Sequence, residues 1–138
     1  MTKAQVASSV ACPCGSGKTY DACCALPHAG MPAVTAKALM RSRYCAFVMR
    51  LEPYLFETWH QSTRPKDIRL LRYDPPPKWL GLDVKTCTTD GDTRTREWAT
   101  VEFVARYRTG GGPATRMHET SRFVREGGRW YYVDGQHH

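Results

Sequence analysis

The chain has 138 residues and a formal net charge of +7, with 41% hydrophobic and 24% charged residues. These values are typical of a globular chain with one sizeable core, and not of a disordered chain. No apolar run approaches the roughly 18 residues of a membrane span, so we expect no membrane association. The basic excess is compatible with acidic partners but establishes none, because the basic residues are scattered.

The first 30 residues predict a small separate unit, since they hold too few large apolar side chains to bury a core. Residues 1–11 lack the continuous apolar stretch of a signal peptide. Four of the six cysteines fall within 13 residues, whereas a secreted disulfide domain would spread them along the chain. This clustering favours metal binding in a reducing cytoplasm.

The spacing of these four cysteines predicts a structural zinc site. Cys12 and Cys14 can straddle one ion, and the eight residues that follow let the chain turn back to Cys23 and Cys24. Four thiolates leave no open position for water, so we expect one structural Zn²⁺. Two alternatives remain open. Disulfides would be strained in such short loops, and a phosphate-binding loop at 15–19 would lack a required glycine and the preceding strand.

Helices are predicted to follow, in the second unit, 31–138. Thr35 is a suitable N-cap for a helix over 35–50, and apolar residues at helical spacing form one face of it. Shorter helices are expected over 54–60 and 66–73. The apolar face consists of Met40, Tyr44, Phe47 and Leu51.

The remainder predicts antiparallel strands. Asp90-Gly91 is a hairpin signal between the first two strands, and alternation in the first strand places Leu80 and Thr86 on the same face as Leu82 and Val84. Helices followed by an antiparallel sheet define an α+β fold and exclude a doubly wound parallel one. The strands are expected over 79–87, 97–108, 115–125 and 129–134.

The cysteine cluster resembles the SEC-C zinc motif, C-x-C-x8-C-[CH], in all four ligands and in the intervening Gly-Ser-Gly-Lys. That motif is named from the C-terminal tail of the SecA translocase, where it is associated with contacts to an export chaperone. The rest of the chain looks like the bacterial YchJ family. The segments that carry this resemblance are 39–48, 58–60, 79–82, 101–106, 119–123 and 129–135.

The resemblance implies a fold for each unit. A SEC-C zinc knuckle would occupy 1–30, and a nuclear transport factor 2-like (cystatin-like) domain would occupy 31–138. Such a domain is a cone, in which helices wrap a curved antiparallel sheet. The family is functionally uncharacterised, so the resemblance implies a knuckle suited to protein contacts but assigns no substrate.

Inward-facing polar residues predict a pocket in the second unit. Glu119 shares a strand face with Met117 and Phe123, and Arg43 lies at the edge of the helical apolar face, so the two would pair if both are buried. A small-molecule pocket or active site and a structural ion pair in a filled core are both compatible with this pattern. The candidate pocket residues are Arg41, Arg43, Tyr44, Trp59, His60, Trp79, Glu119, Trp130 and Asp134.

Two further cysteines, Cys45 and Cys87, are expected to be inert buried thiols. No nucleophile, base and orienting group can be assembled from the sequence, so it leaves open whether the chain is an enzyme. The favoured hypothesis is a zinc knuckle that docks a protein, chaperone or ribosomal surface. A small-molecule binder using the cone is the alternative. Nucleic-acid binding is a third hypothesis, although the interleaved aromatic and basic pattern of a known module is missing.

Overall fold

The structure, a computed structural model, describes residues 9–66, 76–93 and 96–138. A short 3-10 helix, Tyr20–Ala22, precedes three α-helices and a four-stranded antiparallel sheet in the order β1-β2-β3-β4. The α+β prediction is therefore confirmed. The predicted helix over 66–73 lies almost entirely outside the described residues. The elements are α1 (Ala25–His28), α2 (Ala36–Met49), α3 (Glu52–Glu57), β1 (Lys78–Thr93), β2 (Arg96–Arg108), β3 (Thr115–Glu126) and β4 (Arg129–His137).

Helix α2 begins and ends where local sequence chemistry dictates. The Thr35 hydroxyl accepts a hydrogen bond from the Ala38 amide at 3.0 Å, as the N-cap prediction required. The chain leaves the helix at Arg50, which adopts a left-handed conformation (φ 60°), and the Leu51 amide then donates to the Ala46 carbonyl. Both ends of the helix thus satisfy backbone groups that would otherwise lack partners.

Helix α2 is buried on more than its predicted apolar face. Met40 and Tyr44 face the sheet, as expected, but Ser42, Arg43 and Cys45 are also buried. The reason is tertiary, because α1 and α3 pack on the sides of α2 that the sheet does not cover. A helix covered on several sides needs no single apolar face.

Two bulges in β1 change which of its side chains face the core. Trp79 pairs with Tyr107 and Gly81 pairs with Arg106, so Leu80 is an extra residue. Leu80 is accordingly exposed, and a second register shift before Thr86 turns that side chain away as well. The prediction of one face shared by Leu80, Leu82, Val84 and Thr86 is wrong, because each inserted residue reverses the alternation beyond it.

The first hairpin turns later than predicted. Asp90 pairs with Trp98, and β1 continues until Thr93 pairs with Arg96. Gly91 lies at a register shift inside the strand, so the Asp-Gly pair marks an irregularity and not the turn. Among the described residues, no helix is long and apolar enough to cross a membrane.

Candidate functional site

The cysteine cluster is shaped by a tight N-terminal loop. The Cys12 amide donates to the Lys18 carbonyl at 2.9 Å, and Ala11 and Thr19 form an antiparallel bridge, so the chain reverses between them. Gly15 sits at this reversal with φ 78°, a conformation that glycine adopts without strain. The 3-10 helix and the start of α1 then bring the second cysteine pair to the first.

The four sulfur atoms fit a tetrahedral metal ion. The Sγ atoms of Cys12, Cys14, Cys23 and Cys24 all lie within 4.8 Å of one another, and the Cys14–Cys23 separation is 3.7 Å. Zn–S bonds of about 2.3 Å place tetrahedral sulfur atoms about 3.8 Å apart. The four cysteines are free thiols in the structure, without disulfides. These four cysteines could therefore hold a metal ion.

The four clustered thiols differ in how readily they lose a proton: burial raises the pKa of Cys23 and hydrogen bonding with Cys12 raises that of Cys24, whereas the pKa of Cys14 is lowered. The Ser16 hydroxyl lies 3.2 Å from the Cys23 sulfur, where it can donate a hydrogen bond. Hydrogen bonding from Cys12 lowers the pKa of the Cys14 thiol far below its ordinary value, because a neighbouring S–H stabilises the thiolate. Deprotonated sulfur is the form that binds a metal.

A fifth cysteine touches the cluster from α2. The Cys45 sulfur lies 3.4 Å from that of Cys12 and is fully buried. Its burial was predicted, but its proximity to the cluster was not, because the two cysteines are 33 residues apart. Cys87 is exposed, so its predicted burial is wrong. The cluster is thus built against the helix that forms the core of the second unit.

A groove of about 440 Å³ runs beside the cluster, between the loop, α1 and the start of α2. Its apolar side chains include Leu26, Met31 and Val34, all of them exposed. Arg41, a predicted pocket residue, lines this groove, and its guanidinium donates to the Cys14 carbonyl. Arg41 therefore belongs to the knuckle side of α2 and not to the sheet side.

A second space, a cavity of about 260 Å³, lies between α2 and the sheet. The structure places five of the predicted pocket residues around it. Tyr132 also lines the cavity but was not among the predicted pocket residues, although its alternation with Trp130 along β4 was the signal for an inward position. The five predicted residues at the cavity are Arg43, Tyr44, Trp59, Trp79 and Glu119.

Three other predicted pocket residues lie elsewhere. Trp130 is buried in the core and lines a separate cleft near α1. The His60 ring hydrogen-bonds Glu126 at 2.9 Å and Ser62 at 2.8 Å, on a segment whose backbone pairs with β4. These contacts hold His60 at the edge of the sheet, outside the described cavity lining.

Asp134 lies on the face of the sheet that is opposite to the cavity. Arg122 pairs with Asp134 and the next residue, Phe123, pairs with Tyr132, so Val133 is an extra residue in β4. This bulge turns Asp134 away from the face of β4 that Tyr132 occupies, so its predicted place in the pocket is wrong. The Asp134 carboxylate instead accepts two hydrogen bonds from the Arg122 guanidinium, at 2.7 and 2.8 Å.

The expected contact between Arg43 and Glu119 is replaced by other partners. Arg43 donates to the Leu55 carbonyl and the Thr58 hydroxyl. Glu119 accepts from the Ser121 hydroxyl at 2.7 Å and lies 3.3 Å from the His137 ring. Both charged groups are buried at the cavity, but their hydrogen bonds lead away from each other.

Comparisons with known proteins agree with this architecture. The family description "YchJ, middle NTF2-like domain" matches residues 35–135, and "SEC-C motif" matches residues 10–26. The fold and the cysteine site thus define a SEC-C motif joined to an NTF2-like domain. A UPF0225 protein from Chromobacterium violaceum is 53% identical, covering 96% of this chain and 97% of its own. The chain belongs to the YchJ (UPF0225) family.

Further relatives support the assignment. A UPF0225 protein of Bordetella bronchiseptica is 50% identical over 96% of this chain and 97% of its own. The solution structure of RPA3114, a SEC-C motif containing protein from Rhodopseudomonas palustris, has a TM-score of 0.76 and 38% identity. The matched region covers 91% of this chain and 96% of the RPA3114 chain. The predicted family and fold are therefore confirmed, and these relatives have no stated activity.

Proposed function

We propose that this chain is a cytoplasmic adaptor whose SEC-C knuckle holds one structural Zn²⁺ and docks an acidic segment of a partner protein. The observation that supports the ion is the set of four thiols within 4.8 Å of one another. Four soft sulfur ligands suit zinc and leave it no open position for catalysis. The ion therefore acts by holding the loop in the shape that forms one wall of the groove.

The groove supports the docking role through its shape and charge. Its exposed apolar residues offer area to a partner, and Lys18, Lys37 and Arg41 stand around them. Among the described residues that line it, none is a carboxylate. Three cations exceed the charge of −2 that four thiolates around Zn²⁺ would carry. A segment with apolar side chains flanked by acidic ones complements this surface.

Site-specific photo-crosslinking in the native host tests the docking role. A crosslinker at Val34, which is 83% exposed, should capture a protein segment rich in acidic and apolar residues. The same crosslinker at Gly112, an exposed loop position away from the groove, should not capture that segment. Capture of nucleic acid at Val34, or equal capture at both positions, would contradict the proposal.

Charge-reversal variants test the role of the cations at the groove, with a second pair of substitutions as the matched control. Lys18→Glu combined with Lys37→Glu should abolish the crosslink at Val34 and weaken the purified pair by about tenfold or more, since both cations flank the groove. Lys78→Glu combined with Lys85→Glu makes the same change in net charge on β1 and should leave binding intact. Equal losses in both double variants would indicate a general charge effect and count against the groove.

A further inference from the structure

The cavity between α2 and the sheet combines aromatic walls with two buried charges. At about 260 Å³ it lies just below the roughly 300 Å³ at which typical ligand pockets begin, so it suits a small ring-bearing molecule. Trp59 and Tyr132 meet edge to face with ring centroids 5.2 Å apart, as do Tyr44 and Trp79 at 5.8 Å. The aromatic lining consists of Tyr44, Phe47, Trp59, Trp79, Phe103 and Tyr132.

Arg43 brings an incompletely used guanidinium to this cavity. The residue is only 4% exposed, and its Nη1 donates to the Leu55 carbonyl at 2.9 Å and to the Thr58 hydroxyl at 2.7 Å. The described residues give Nε and Nη2 no acceptor. In the described part of the chain, every fully buried side-chain nitrogen or oxygen atom has a hydrogen-bond partner. Since Nε and Nη2 have none, they are not fully buried and reach open space.

Stacking fixes the direction of that guanidinium. Its Cζ lies 4.6 Å from the Tyr132 ring centroid and 5.3 Å from that of Trp59. Burial lowers the pKa of Arg43 to about 10, which still leaves the group charged at neutral pH. A guanidinium that stacks on aromatic rings and keeps free N–H groups is a preferred partner for a carboxylate.

Glu119 supplies the opposite charge from β3. Its side chain is 10% exposed, with Ser121 donating to Oε2 and His137 lying 3.3 Å from Oε1. The carboxylate rests against Gly135, where a Cβ atom would lie 1.9 Å from Oε2. The group is therefore held in place while His137, whose side chain is 66% exposed, stands beside it.

We propose that this cavity binds a small zwitterion with an apolar ring, of the class of aromatic α-amino acids. The ligand carboxylate would face the free edge of Arg43, its ammonium group would face Glu119, and its ring would occupy the aromatic walls. This arrangement accounts for two opposite buried charges that line one cavity yet bond to other groups. The inference is independent of the zinc knuckle and its docking role.

Three probes of nearly equal shape test the proposal. The indole N–H signals of Trp59 and Trp79 would be followed by NMR as the zinc-loaded protein is titrated with phenylalanine, 3-phenylpropionate or phenethylamine. Phenylalanine should shift both signals and bind at least about tenfold more tightly than the probes that lack its ammonium or carboxylate group. Absence of shifts at millimolar phenylalanine, or equal affinity for all three probes, would overturn the proposal.

A charge-neutral variant separates binding from structure. Glu119→Gln should weaken phenylalanine and phenethylamine by about tenfold while leaving 3-phenylpropionate unchanged, because only the first two present an ammonium group. Glu102→Gln, on the outward face of β2 beside His118, is the matched control and should change none of the three. Equal weakening of all three probes by Glu119→Gln would assign Glu119 a structural role and contradict the proposal. Should that variant fail to fold, the ranking of the three probes on the wild-type protein decides the question.

Discussion

At the scale of single residues, glycine at position 135 determines where the Glu119 carboxylate lies. A Cβ atom at this position would come 1.9 Å from Oε2 and 2.6 Å from the carboxyl carbon of Glu119. A side chain at position 135 would therefore displace the Glu119 carboxylate from its present position. The buried carboxylate and the missing side chain are thus two parts of one arrangement.

We expect Gly135→Ala to destabilise the fold by about 1–3 kcal/mol, because Glu119 must leave its bond with Ser121 or the strands must separate. Urea denaturation would measure the change. Gly111→Ala is the control, since a Cβ atom there meets nothing within 4 Å. An equal effect of the two substitutions would show that the contact with Glu119 is unimportant.

The pair formed by Arg122 and Asp134 predicts a pH dependence. Hydrogen bonding from Arg122 lowers the pKa of Asp134 below 3.8, so the folded state holds the proton less tightly than the unfolded state does. The contribution is therefore present above about pH 4 and is lost as pH falls through the folded pKa. Asp134→Asn should cost at most about 1 kcal/mol at pH 7, because the pair is largely exposed. Denaturation of both proteins should give a difference that shrinks below pH 4, and a constant difference would contradict this account.

At the scale of secondary structure, the caps were predictable and the bulges were not. The N-cap of α2 depends on Thr35 and Ala38, which are three residues apart, so the sequence contains the whole interaction. The extra residues Leu80 and Val133 depend on pairing with a neighbouring strand. Alternation within one strand cannot reveal such an insertion, which is why Leu80 and Asp134 were predicted on the wrong face.

The N-cap gives a direct test at this scale. Thr35→Ala removes the acceptor for the Ala38 amide and should lower the free energy of unfolding by about 1 kcal/mol. Thr35→Ser keeps a hydroxyl oxygen and should retain most of the stability. Chemical denaturation of the three proteins would make the comparison, and equal stabilities of the alanine and serine variants would contradict the capping role.

At the scale of the whole molecule, the cysteine cluster and α2 share one buried core. Cys12, Cys14 and Cys24 belong to the same hydrophobic cluster as Leu39 and Cys45. The four clustered cysteines could be recognised from the sequence because their spacing is local. The neighbouring Cys45 and the aromatic cavity could not, since only the packing of distant elements brings them together.

This shared core predicts how the thiols react. In the zinc-loaded protein a thiol reagent should modify Cys87 quickly, because among the cysteines of the described residues its side chain is the exposed one. Adding a zinc chelator should release the knuckle cysteines and uncover Cys45 beneath them, so that all six thiols react. The fast phase should vanish in Cys87→Ser. Reactivity of all six thiols before chelation would contradict a metal-stabilised knuckle.

Native mass spectrometry of the untagged protein from its own host tests the central claim most directly. We predict a single bound zinc ion, lost in Cys23→Ser and retained in Cys87→Ser. The zinc-bound form should exceed the metal-free protein by the mass of one zinc less two hydrogens, because the divalent ion replaces two protons. A protein without metal, lighter by two hydrogens for each cysteine pair, would show disulfides in place of the zinc site and contradict the account.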